Sequence, residues 1–143
     1  MNKLFIKAVV RSLFIMTSRN RALNQKERLH NDYIELADGL SREVGIHSVK
    51  VPPMRGVDED MRDWSFYMIL EHNAIVNRSI SATIQQLIQG GPLRGAAAID
   101  PKKDVMPSQS AAEEQLQEFQ KSVNGHVGLM ANLGSLRGNI TAQ

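Results

Sequence analysis

Trp64, Met68 and His72 stand at i, i+4 and i+8, and Ile75 follows three residues later. That spacing places an indole, a thioether and an imidazole on one helical row. An imidazole on an otherwise apolar row needs a partner, because a buried polar group left unpaired costs about 1–3 kcal/mol. A metal ion, a backbone carbonyl or a carboxylate would each serve, and Glu71 and Asn73 are neighbours that offer oxygens. His126 falls on the inward row of a later helix, so a His72–His126 pair is the other arrangement these residue types allow. Two imidazoles fall short of the three protein ligands of a catalytic zinc centre. His30 and His47 read as surface and loop residues. The chain has no cysteine, which removes thiolate ligands, disulfides and cysteine nucleophiles and fits a reducing, cytoplasmic location. It also has no Gly-rich phosphate loop, no His-Glu-x-x-His pair and no Gly-x-Ser-x-Gly elbow.

The elements that must position these residues read as helices. From about Asn20 to Val44, Leu29, Tyr33, Leu36, Leu40 and Val44 recur at spacings of four, three, four and four, and Gly45 suits the helix end. Between Ile46 and about Met61 the pattern lapses, and Pro52, Pro53 and Gly56 forbid a regular helix. Asp58, Glu59, Asp60 and Asp63 put negative charge at the entry to the next helix, where the dipole favours it. That helix carries the Trp64–His72 stretch and is expected to run to about Gln89. Its inward row is Ile69, His72, Val76, Ser79 and Thr83, supported by Ile80, Ile84, Leu87 and Ile88. Gly90-Gly91-Pro92 stops it. Residues 92–109, with Pro92, Pro101 and Pro107, read as a long surface loop. The last helix is expected to start at Ser110, with Glu113 completing a capping box. Leu116, Phe119, Val123, His126, Met130 and Leu133 form its seam. Gly125, Gly128 and Gly134 weaken that helix, and either admit a close neighbour or mark fraying. No segment alternates with a strand's period of two. The expectation is one all-α domain over residues 1–143, an up-down bundle of three long helices plus a short amino-terminal amphipathic helix.

Composition bounds the rest. Hydrophobic residues make up 42% and charged residues 22% of 143 positions, ordinary for a globular chain able to bury a core. A net charge of +2 with few aromatic residues gives no basis for nucleic-acid binding. All six cations from Lys3 to Lys26 precede the first acid, Glu27. Lys7 and Arg11 break the apolar run between Lys3 and Met16, which is too short for the ~20 residues of a membrane span. Residues 1–17 therefore read as a buried amphipathic helix with one solvated edge, a membrane-surface anchor or a targeting segment. The sequons at Asn77 and Asn139 read as coincidental.

Asp63-Trp64-Ser65 followed by Ile69-Leu70-Glu71-His72 resembles the second-helix signature of the DinB/YfiT-like superfamily, bacterial four-helix bundles described as metal-dependent enzymes. The long preceding helix, the Pro/Gly-rich loop before the tryptophan and the Ala97-Ala98-Ile99-Asp100-Pro101 connection are similar to members of that group. The resemblance spans roughly residues 20–136, and its specific part is the tryptophan-to-histidine stretch. It implies that His72 is one of three ligands to a divalent transition metal, Zn or Ni, in a transferase or hydrolase scaffold. The family's other two ligands form a His-x-x-x-His pair on a final helix. His126 is not that pair, since positions 122 and 130 hold Ser122 and Met130. The expected metal site is thus incomplete in these 143 residues. Either a final helix lies beyond Gln143, or the Lys3–Met16 segment takes the fourth position, or the open groove pairs with another copy as a homodimer. Besides a metal-dependent enzyme, the sequence leaves open a non-catalytic helical oligomerisation module and a peripheral membrane protein held by residues 1–16.

Overall fold

A computed structural model describes residues 18–55, 57–89 and 103–133; the amino-terminal segment 1–17, Gly56, residues 90–102 and residues 134–143, Gly134 among them, lie outside the described residues. All regular structure in the described part is helical. No helix there is long and apolar enough to cross a membrane. The contacts divide the chain into two units, Met1–Glu35 and Leu36–Gln143.

The first long helix, α1, covers Arg19–Asp38. Ser18 Oγ accepts from the Arg21 amide at 3.2 Å and satisfies one of its open donors. The helix does not continue to Val44 as the apolar spacing predicts. It ends before Gly39, and Ser41 starts a short helix, α2 (Arg42–Ile46), by accepting from the Val44 amide at 3.4 Å. A glycine is unfavourable in a helix interior by about 0.8–1 kcal/mol, whereas serine is a preferred first cap, so two adjacent local signals outweigh the apolar row.

Residues 47–63 form the expected irregular loop, closed at its base by a reciprocal pair. The Val51 amide donates to the Arg62 carbonyl at 2.9 Å, and Arg62 Nε donates to the Val51 carbonyl at 3.0 Å. One 3₁₀ turn, Glu59–Met61, holds part of the acidic cluster. The next helix, α3, is Phe66–Ile88. The acids therefore stand ahead of its first turn, and Trp64 precedes its cap rather than lying on the helix. Ser65 is the cap: buried and extended, it accepts from the Met68 amide at 3.3 Å. Gly45 of α2 lies under the Tyr67 ring, where a Cβ would come within 2.5 Å of Cε2. Close approach, not a helix end, is what that glycine provides.

The last helix, α4, is Glu114–Asn132. The capping box is not made, because the Ser110 hydroxyl pairs with Ser108 Oγ at 2.7 Å and Glu113 gives no side-chain cap. Asn77 bonds Ser122 and Ser81 bonds His126, each across a sequence separation of 45 residues. A constant positive offset means that α3 and α4 run parallel, which corrects the up-down order for this pair. The connection, residues 89–113, is long enough to return the ~35 Å length of α3. The core joins Trp64, Tyr67, Met68, Leu70 and Ala74 to Val105, Ala111, Phe119 and Val123.

Gly125 and Gly128 face open space, with nothing within 4 Å of an added Cβ. They admit no close neighbour within the described residues. Gly128→Ala is expected to raise unfolding stability by about 0.5–1 kcal/mol. Gly45→Ala, which must displace an aromatic ring, is expected to lower it by about 1–3 kcal/mol. Urea denaturation of both variants checks the opposite signs; equal signs would refute this placement of the two glycines.

Candidate functional site

His72 lies half-buried in the amino-terminal half of α3. Its ring stands 4.9 Å from the Trp64 indole, tilted at 51°. Nδ1 lies 2.7 Å from the Val105 carbonyl. A carbonyl can only accept, so Nδ1 carries the proton and the neutral ring's lone pair is on Nε2. The carbonyl alternative is therefore the one realised. Beside it, the Ser108 amide donates to Glu71 Oε2 at 2.7 Å. Residues 105–111 are thus not a free surface loop: Val105, Pro107 and Ala111 are buried, and two consecutive α3 side chains hold the segment down.

His126 is elsewhere. Its Nδ1 lies 2.9 Å from Ser81 Oγ, while that hydroxyl lies 2.8 Å from the Asn77 carbonyl. The one hydroxyl proton goes to the carbonyl, so Ser81 accepts from His126 Nδ1–H. Ser81 is nine residues beyond His72, roughly 13 Å along the helix axis. The two histidines therefore do not form a common site. Nor is Ser81–His126 a nucleophile and base, because the serine proton points away from the imidazole. A second rung has the same form: Asn77 Nδ2 donates to Ser122 Oγ at 3.2 Å, and Ser122 donates to the Phe119 carbonyl at 2.7 Å. The Asn77 amide is thus engaged between helices.

These rungs also correct the inward face of α3. Asn77 and Ser81 meet α4 and Leu70 and Ala74 are buried, whereas Ile69, Val76, Thr83 and Leu87 are half-buried and Ile80 is exposed. The stripe that carries Asn77 and Ser81, and not the predicted apolar row, takes α4. On α4, Phe119 and Val123 are buried as the seam predicts, with Leu116, His126, Met130 and Leu133 half-buried. His47 is an exposed loop residue as expected; His30 is half-buried, and burial lowers its pKa. Burial lowers that of Lys26 as well.

One charged cluster was not foreseen. Arg78 of α3 donates through Nη2 to Glu118 Oε2 at 2.5 Å, and Lys121 of α4 donates to Glu118 Oε1 at 2.9 Å. Lys121 first, by its hydrogen bond and charge, and then Arg78 hold the Glu118 carboxyl below the usual carboxylate range. The i, i+3 pairing of Glu118 with Lys121 was readable in the sequence; the Arg78 contact needed the interhelical register.

No family model, curated protein or solved structure matches this chain. A bonded Nδ1 is the orientation a metal-ligating histidine adopts. Among the described residues, however, no three His, Asp or Glu side chains converge to hold an ion. The described residues thus supply His72 alone toward the three-ligand centre that the resemblance implies.

Two measurements test this geometry. Long-range ¹H–¹⁵N spectra should show neutral His72 as the Nδ1–H tautomer, and an Nε2–H tautomer would break the Val105 bond. The Glu118 side chain should titrate below an ordinary glutamate and move back upward in Lys121→Ala. Its stabilising contribution is present above the unfolded-state pKa and is lost as pH falls through the lower folded value.

Proposed function

We propose that this chain is a non-catalytic helical interaction module that self-associates through the α3 face not taken by α4. The observation that carries this reading is the row Ile69, Val76, Ile80 and Leu87, interrupted by His72 and Thr83, on the side of α3 away from the polar rungs. Ile80 is 46% exposed, and Ile88 at the helix end is 47% exposed. Isolated exposed aliphatics are ordinary, but several along one helix face form an association surface. Val44, Ile46, Val49 and Met54 add exposed apolar side chains in the same unit. A closed symmetric dimer is the commonest way to bury such a patch in soluble proteins. Light scattering across a concentration series should show a dimer that Ile80→Glu converts to monomer. A monomer at every concentration would overturn the reading.

A second reading is favoured by one observation, the His72 Nδ1 bond to a carbonyl. In it, the chain is DinB/YfiT-like and His72 supplies one ligand of a metal-dependent enzyme completed by residues outside those described. Elemental analysis of the purified protein and of His72→Ala decides it. Stoichiometric transition metal, lost in the variant, supports this reading, and metal-free wild-type protein rejects it.

A further inference from the structure

One flank of the α3–α4 contact is an open groove of about 410 Å³, within the ~300–1,000 Å³ range of small-ligand sites. Its cations come from opposite walls and share one carboxylate, Arg78 on one oxygen of Glu118 and Lys121 on the other. Exposed ion pairs of this kind add little to stability. Their main consequence is positional, because they hold a guanidinium and an ammonium at the groove within one carboxylate's width. Two cations against one carboxylate leave a net positive charge there.

The donors are also incompletely used. Arg78 spends Nη2 on the Glu118 carboxylate and backbone carbonyl, and its Nε and Nη1 have no protein partner among the described residues. Lys121 has N–H donors beyond the one it gives to Glu118. From Arg78 the groove runs past the Ser81–His126 rung to Gln85, about 10 Å of helix, with Ala82 and Leu129 supplying apolar surface. Gly125 lies on the α4 wall beside open space, where an added Cβ would meet nothing within 4 Å.

We infer that this groove binds a small phosphomonoester, its phosphate between Arg78 and Lys121 and its apolar body toward Ala82 and Leu129. A planar fork and a point ammonium are matched to phosphate oxygens, and charge-assisted bonds are the strong ones. Glu118 competes for the same donors, so the ligand exchanges with an internal carboxylate.

Titrating phenyl phosphate into the ¹⁵N-labelled chain tests this. Saturable amide shifts are expected at Lys121, Ser122 and Gly125, while phenol, which lacks the anion, produces none. Glu118→Gln should tighten binding several-fold, and Arg78→Gln with Lys121→Gln should weaken it at least about tenfold, the scale of one lost charge-assisted bond. All three side chains are well exposed, and melting curves of the variants confirm folding. The inference is overturned by absent saturation, by equal shifts at Lys50 and Lys103, or by an affinity indifferent to both variants.

Discussion

The parallel register of α3 and α4 is the constraint on which the rest of the described structure depends. Two rungs set it, and each works in the same way. A serine hydroxyl gives its proton to a carbonyl of its own helix and accepts from a side chain of the other helix. Sliding one helix past the other by a turn would leave Asn77, Ser81, Ser122 and His126 without these partners. A polar group buried without a partner costs more than a typical apolar contact contributes, so the rungs select one alignment. The buried apolar residues of the two helices, Leu70 and Ala74 on α3 and Phe119 and Val123 on α4, supply burial without choosing the register.

Parallel packing imposes a second requirement. Antiparallel neighbours can be joined by a short turn, but a parallel pair needs a chain that travels back along the whole helix. The part of that return described here is fixed at the amino-terminal half of α3. His72 holds the Val105 carbonyl, Glu71 holds the Ser108 amide, and Val105, Pro107 and Ala111 enter the core. The most conspicuous histidine thus has an architectural task, with Trp64 packed beside its ring. The same bond leaves the neutral ring's lone pair on Nε2, so the clamp and a ligand role differ in what meets that nitrogen.

Local chemistry decided the element boundaries wherever it was specific. Ser41 and Ser65 each cap a helix through the amide three residues on, and both outweigh the apolar rows that run through them. Ser110 and Glu113 had the spacing of a capping box, yet the Ser110 hydroxyl was taken by Ser108 two residues away. A capping motif gives the capacity for those bonds, and competition from a nearer partner determines whether they form.

The helical class, the irregular loop around Pro52 and Pro53, the stop near Gly90 and the Phe119–Val123 seam were determined by the sequence itself. Each follows from residue type and period within one segment. The partner of His72, the separation of His72 from His126, the face of α3 that meets α4 and the meeting of Arg78 with Glu118 were decided only by tertiary structure. The reason is geometric. A helical period reports which side chains share a stripe, but α3 carries two usable stripes, one apolar and one mixed. Only the pairing of polar groups between distant segments shows which stripe is turned toward α4.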